Sequence, residues 1–455
     1  MSIPMGLFGM ADLLDKEGFS ARILNIPLEM LLDKSWSLEG FLKNVKARIY
    51  AISLHWVLNS YGAIEVANKC KEIDPTAKVV LGGFTASYFD FEIMRKFPFV
   101  DGIIRGEGEL PILKLTETLY GNKHLDSIPN FTFRRNGRIV RTSTTYVANS
   151  IDHISFANVE HSHHWKEYVR ILRETMGLPF SIMVGRGCPF NCPFCGGSQT
   201  ASEIISGRKS TLLRSAEKVL GDINKIIQTA KVKSIYFGHG IYPQNTKYWK
   251  KLFSLLRKEK IDVGADLEIW RLPLDKVFIS EFHRTFNADN SSLSFVLYPK
   301  RIRRLLAPLT DSFMNYEESD VRFVVENAVR HNISLRLWFT IGNPFETTKD
   351  ILEDLSFVAK LFLNHGAYNH ITLWNAPVTI SPGSPAFQNP DKFGIRLQLT
   401  SFMDFYRAFR EKRYTFGEFG GVINYQTPFL SERNINFWNK IFNFIEIPFH
   451  LVSSH

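Results

Sequence analysis

Three of the chain's four cysteines, Cys188, Cys192 and Cys195, fall within eight residues, in the segment Gly185-Arg186-Gly187-Cys188-Pro189-Phe190-Asn191-Cys192-Pro193-Phe194-Cys195-Gly196-Gly197. The flanking glycines and prolines favour a tight, non-repetitive loop that can wrap its thiolates around one soft metal centre. An iron-sulfur cubane is ordinarily held by four cysteines. Three therefore leave one iron open to a substrate or cofactor. Structural zinc suits the pattern less well, because it takes four ligands, commonly as two separated pairs. His161, His163 and His164 offer a fourth ligand, but they lie more than twenty residues upstream. A disulfide framework is not expected in a chain of 455 residues with four cysteines. Cys70 stands alone in Asn68-Lys69-Cys70-Lys71, on an expected helix.

Length and a hydrophobic content of 45% allow several domains with real cores. The 38 phenylalanines fit apolar pockets or an apolar substrate. The net charge of +10 is scattered over Arg134-Arg135, Lys250-Lys251, Arg301 with Arg303-Arg304, and Arg410 with Lys412-Arg413. These read as solvated helix faces, and no nucleic-acid partner is expected. No apolar run reaches the ~20 residues that span a bilayer, and no signal peptide opens the chain. The expected setting is cytoplasmic.

From Met5 to about Tyr120, helical stretches alternate with β-branched runs at Ala21–Ile26, Ile49–Leu54, Val79–Gly83 and Val100–Arg105. That alternation predicts an α/β, doubly wound, Rossmann-like domain. Ligands of such sheets sit beyond the carboxyl ends of the strands, here Ser53, Gly82-Gly83 and Gly106-Glu107-Gly108-Glu109. Asn136-Gly137 between two alternating runs predicts a hairpin, followed by a polar connector to about Gly177. From Phe180, strand and helix units recur about six times, through Ser234–His239, Val263–Ile269, Leu293–Leu297, Ser334–Ile341 and His370–Trp374. They predict a partial (β/α)6 TIM-type barrel with the cysteine loop at a strand's carboxyl end. A helical C-terminal region follows, rich in aromatic residues such as Phe402, Phe405, Tyr406, Phe409 and Tyr414. Its apolar tail, Phe437–Val452, suits either packing on the barrel or contact with a membrane surface. The expected divisions are 1–128, 129–177 (hairpin and linker), 178–396 and 397–455.

The Cys-x3-Cys-x2-Cys loop, with Phe194 before its last cysteine and Gly-Gly after it, resembles the signature of radical S-adenosylmethionine enzymes. Gly342-Asn343-Pro344-Phe345-Glu346-Thr347 resembles that superfamily's Gly-x-Pro-x-Glu-Thr turn, and Pro382-Gly383-Ser384-Pro385 with Phe393-Gly394-Ile395 resembles its closing elements. Pro4-Met5-Gly6-Leu7, Gly83-Phe84-Thr85-Ala86-Ser87 and the strand-end glycines resemble the cobalamin-binding-type domain of one large branch. In that branch a strand ordinarily precedes the Pro-x-Gly-Leu helix; here the chain begins at the helix, and no Asp-x-His-x-x-Gly element is found.

The resemblance implies a 4Fe-4S cluster on Cys188, Cys192 and Cys195, with S-adenosylmethionine chelating the free iron and yielding a 5′-deoxyadenosyl radical. It further implies that Gly238 and His239 receive the cofactor's amino group, Phe194 touches the adenine through its backbone, Glu268 faces the ribose, and Gly342 with Glu346 completes the cradle. Leu297-Tyr298-Pro299-Lys300 departs from the Glu-Ser-Gly found there in many members. Glu268 could instead pair with Arg271, and His239 could be structural. Ser53, Gly82, Gly83, Gly106 and Gly108 would line a cobalamin site. The implied activity is methylation or carbon–carbon bond formation at an unactivated carbon, fed by an electron donor of ferredoxin or flavodoxin type. A lipid substrate would add peripheral membrane contact. The competing reading is a noncatalytic iron-sulfur or metal-binding protein that docks nucleic acid, and binding of S-adenosylmethionine separates the two.

Overall fold

The computed structural model describes residues 4–121, 124–143, 145–175, 177–238, 245–310, 314–365, 370–411 and 422–452, apart from the side chains of 175, 362–365 and 443–452. The first sheet runs β1 (Ile49–Ser53), β2 (Lys78–Gly82), β3 (Gly102–Ile104), β4 (Phe131–Arg135) and β5 (Arg138–Arg141) in sequential order. The first three strands are parallel. β2 is central and covered on both faces, which explains its unbroken apolar run. Val79 and Leu81 join a cluster with Ile64 and Ala67 of the helix Ser60–Ile73. Val80 packs with Ile112 and Leu115 of the helix Glu109–Gly121 and with Met10 and Leu14 of the helix Met5–Lys16.

Two expectations need correction. Ala21–Ile26 does not enter the sheet; it makes a single bridge from Ile23 to Ser162. The cause is local, since Asn25 caps the helix Ile26–Leu32 and Pro27 sits in its first turn, where a missing N–H costs nothing. The hairpin, expected to open the linker, instead extends the first sheet, with β4 antiparallel to β3. Phe131 and Phe133 bury against Ile104 and Ile112, so the expected 128/129 division falls between paired strands. Asn136 and Gly137, at φ 48° and 76°, make the tight turn that Asn-Gly favours.

The second sheet contains β6 (Phe180–Met183), which leads into β7 (Gly185–Arg186), paired with β8 (Leu212–Leu213) around the cysteine loop. It continues through β9 (Ser234–Gly238), β10 (Gly264–Glu268), β11 (Ser292–Leu297), β12 (Ser334–Ile341) and β13 (Ile371–Pro377). Six strands, in the order β6-β9-β10-β11-β12-β13, are all parallel. Along β12, buried Leu335, Leu337, Phe339 and Ile341 alternate with half-buried Arg336, Trp338 and Thr340. The period of two sends one set to the helices and the other to the sheet's inner face.

The C-terminal helices are spent on packing as far as they are described. Phe402 and Phe405 of the helix Phe402–Arg410 meet Phe89, and Phe402 also meets Phe97, while Glu92 accepts the Phe402 and Met403 N–H groups at 2.8 and 3.1 Å. The helix Glu432–Val452 lies on β13, where Asn375 donates to Asn439 Oδ1 at 2.7 Å and Phe442 meets Phe339. Tyr414 lies outside the described residues. Among those described, no helix is long and apolar enough to cross a membrane.

Candidate active site

The cysteine loop leaves the carboxyl end of β6, pinned by its own backbone and by the far end of the barrel. Cys195 N–H donates to Cys192 O (3.2 Å) and Gln199 N–H to Phe190 O (2.9 Å), while Asn191 Oδ1 accepts from Thr200 N–H (2.9 Å) and its hydroxyl (2.8 Å). The Phe194 and Pro193 carbonyls accept from Ser381 N–H (3.0 Å) and Ala386 N–H (2.9 Å) of the closing Pro-Gly-Ser-Pro segment. That motif therefore has a mechanical role. It holds the loop from the other side of the open sheet.

Burial pushes the Cys188 thiol up to about 12, Cys192 well above the usual thiol range and Cys195 up, with Glu268 adding to all three. Thiols so placed ionise when a positive metal centre replaces the lost water. Cys70, on the buried face of the helix Ser60–Ile73, is pushed up to about 11 by burial.

An ionic clamp fastens the first sheet to this loop. Arg186 reaches Glu109 at 3.0 Å and Glu107 at 3.4 Å, and Arg208 donates to Glu107 at 3.0 Å and to Ala148 O at 2.7 Å. Burial opposes ionisation of Glu109, but Arg186 outweighs it and holds the carboxyl below its usual value. The Gly106-Glu107-Gly108-Glu109 turn is thus a docking element. A side chain at Gly106 would fall 2.9 Å from Ser206 Cα, and one at Gly108 3.1 Å from the Met10 sulfur. These two glycines meet protein rather than the open ligand space expected of them. The carboxylates between them were the stronger signal.

The inner face beside the loop is polar below and aromatic above. Arg336 pairs with Asp266 and bonds Ser292, joining β12, β10 and β11. Glu268, at the end of β10, is raised by burial and accepts from Tyr236 at 3.4 Å. Tyr298, absent from the sequence-based candidates, is buried near Cys192 and Cys195, its ring 6.4 Å from that of Phe194. Trp338 and Trp374, also missed, meet at a tilt of 41° with centroids 5.1 Å apart across β12 and β13. Gly238 lies at the end of β9 against Met5; His239 lies outside the described residues.

Gly342 has φ +89°, and Tyr425 Oη donates to its carbonyl. Glu346 turns inward rather than toward a ligand. It accepts from Gly342 N–H (2.6 Å), Asn343 N–H (3.1 Å) and Asn343 Nδ2 (2.9 Å), and burial raises it to about 7. Glu346 therefore positions the turn.

At the other side of the loop stand the carboxyl ends of the first sheet, where Ser53 pairs with Gly82. Gly83, at φ +108°, lets the chain pass over the His55 backbone, 2.7 Å from where a Cβ would sit. His55 stacks on Phe84 at 4.5 Å and meets the edge of Trp56 at 4.7 Å. With Thr85, Gly196 and Ser381 these side chains line a crevice of about 240 Å³, its open mouth included. Burial holds the His55 imidazole down to about 4, so it is neutral at neutral pH, and its ring nitrogens have no hydrogen-bond partner among the described residues. His-Trp following Ser53 was the overlooked signal.

Fold and loop together form a partial parallel barrel with three cysteines at the carboxyl end of its first strand. Residues 2–116 match the family described as "B12 binding domain". An uncharacterized methyltransferase of Pyrococcus horikoshii is 23% identical over 315 residues, 69% of this chain and 64% of that protein. The hopanoid C-3 methylase of Methylococcus capsulatus is 25% identical over 228 residues, 49% of this chain and 40% of its own. The chain thus spans less than two thirds of either relative. The radical S-adenosylmethionine methyltransferase TsrM of Kitasatospora setae, solved with cobalamin and a [4Fe-4S] cluster, superposes with a TM-score of 0.69 at 14% identity, over 94% of this chain and 82% of that one. The chain thus shares its fold with that enzyme and carries a B12-binding-type domain at residues 2–116.

Proposed function

We propose that this chain is a cobalamin-dependent radical S-adenosylmethionine enzyme that methylates, or forms a carbon–carbon bond at, an unactivated carbon. The observation that carries the reading is the meeting of two elements at one crevice, where Trp56 of the B12-type unit stands against Gly196 of the cysteine loop. The donor chemistry fits a four-iron cluster, because three half-buried thiols on one short loop leave one iron without a protein ligand. S-adenosylmethionine at that iron would supply the 5′-deoxyadenosyl radical, and cobalamin the methyl group. Glu268 and Tyr236 give the inner face a hydrogen-bonding edge beside the cluster loop. Trp338 and Trp374 give an apolar aromatic wall against which a substrate can lie. Tyr298 keeps water from the thiols by filling the space behind Phe194. Glu346 and Tyr425 hold the Gly342 turn.

The first sheet suits a corrinoid in chemistry, through the neutral His55 imidazole, which has no hydrogen-bond partner among the described residues, and the aromatic surfaces of Trp56 and Phe84. In size the crevice is nearly closed, with about 10 Å³ free for water, far below the roughly 300–1,000 Å³ of ordinary ligand pockets. A corrin enters only if Trp56 swings off Gly196. The relatives' names, a methyltransferase and a hopanoid methylase, favour carbon methylation, and TsrM has been solved with tryptophan as substrate and a SAM analogue. An acidic ferredoxin or flavodoxin would suit the net charge of +10 as electron donor. The proposed location is cytoplasmic, with Phe437, 54% exposed, offering a point of membrane contact. The proposed units are the sheet-bearing residues through Arg141, a connector, the barrel from Phe180, and the C-terminal helices.

Cobalamin uptake tests the reading. Anaerobic protein carrying its cluster is mixed with hydroxocobalamin and gel-filtered. Stoichiometric corrinoid absorbance in the protein peak is expected, and corrinoid-free protein would remove cobalamin from the account.

A further inference from the structure

Away from the cluster, Glu29, His163 and His164 converge. Glu29 lies on the helix Ile26–Leu32 and is 1% exposed. Its carboxylate meets His163 Nδ1 at 3.0 Å through Oε1 and His164 Nδ1 at 2.9 Å through Oε2. No Lys or Arg pairs with it among the described residues, although buried carboxylates are ordinarily paired or bound to a metal. The two imidazoles lie 4.1 Å apart, centroid to centroid, and their side chains are 43% and 46% exposed.

We propose that Glu29, His163 and His164 form a binding site for a divalent transition metal of the zinc class, independent of the cluster. The edges have the right length. A metal held at about 2.0–2.2 Å by imidazole nitrogen and carboxylate oxygen has ligands roughly 3 Å apart, as the Glu29–His163 and Glu29–His164 pairs already are. All three ligand atoms lie within 4.8 Å of one another, so a small imidazole rotation closes the third edge. The donors, two imidazoles and one carboxylate, suit zinc, cobalt or nickel better than magnesium or calcium. Three protein ligands leave a position for water, which the exposed histidine edges can admit.

The backbone holds the site ready. Ile23 N–H donates to His161 O and His163 N–H to Ile23 O, both at 2.8 Å, so the segment before the Glu29 helix is zipped to the histidine segment. His164, at φ 49°, turns the chain so that two consecutive imidazoles share one side. The edge of the Phe41 ring backs His163 at 5.5 Å. His161 takes no part: it is buried and its Nε2 has no partner. A metal here staples the B12-type unit to the connector that leads to the barrel.

The test uses full-length protein with its cluster assembled, so that the cysteine thiolates are occupied. Protein is dialysed against micromolar zinc under anaerobic conditions and analysed for zinc and iron. About one zinc per chain is expected beside the cluster iron, together with a rise in melting temperature. His163→Ala/His164→Ala should bind roughly 100-fold more weakly, with unchanged iron content and no zinc-dependent rise in melting temperature. Glu29→Gln, which keeps the shape, should weaken binding while leaving the helix Ile26–Leu32 folded. Cys188→Ala, which lacks the cluster, should still take up zinc at this site. Equal zinc uptake by wild type and the double histidine variant, or none by either, would overturn the proposal.

Discussion

Cys188, Cys192 and Cys195 share with Cys70 a thiol pushed up by burial, yet only the first three have a reason to ionise. Replacing any one of them by Ala should abolish the cluster. Cys70→Ala should keep it, at a stability cost of about 1 kcal/mol for a small core truncation; iron analysis and spin-resonance spectra decide. Glu346 makes a second residue-scale prediction. Its carboxyl is raised from 4.5 to about 7 in the folded chain, so between those values the folded state keeps a proton that the unfolded state has lost. Stability therefore falls as pH rises through that window, by roughly 3 kcal/mol at about 1.4 kcal/mol per unit. Glu346→Gln should lose this slope, and its denaturation midpoint should gain on wild type between about pH 5 and about pH 8. Parallel pH profiles would refute the assignment. The cysteines were legible because their chemistry depends on local spacing. Tyr298, Trp338, Trp374 and His55 were not, because an aromatic or a histidine at a strand end acquires meaning only from the neighbouring strand beside it.

At the scale of elements, the clamp of Glu107 and Glu109 on Arg186 and Arg208 joins the first sheet to the cysteine loop. Glu107→Ala leaves two buried guanidiniums short of a partner, a loss worth about 3–5 kcal/mol. Denaturation should show that cost, and iron content after reconstitution should fall because Arg186 stands just ahead of Cys188. Full stability with full iron would make the clamp incidental. The barrel strands were readable from their apolar runs, β12 to the residue. Ala21–Ile26 was misread because its β-branched content outweighed Asn25 and Pro27, which commit the chain to a helix. The hairpin was recognised from Asn-Gly, but not its partner, since pairing with β3 depends on an edge that local sequence does not reveal.

Over the whole molecule, the C-terminal helices cross back onto both units, through Glu92 to Phe402 and through Asn375 to Asn439. Ile435, Phe442 and Asn439 are buried, so Phe437 is the one large apolar side chain exposed among the described residues of these helices. Co-sedimentation with anionic vesicles should accordingly be modest and fall further for Phe437→Ser; strong binding that survives this change would place the contact elsewhere. The central claim is that the loop of Cys188, Cys192 and Cys195 carries a cluster that splits S-adenosylmethionine beside a B12-type unit. Chromatography of anaerobically reconstituted protein incubated with S-adenosylmethionine and a strong reductant tests it most directly. The account predicts 5′-deoxyadenosine and methionine from the wild type and neither from Cys192→Ala. Wild-type protein with a full cluster that forms no 5′-deoxyadenosine, or equal formation by Cys192→Ala, would contradict it.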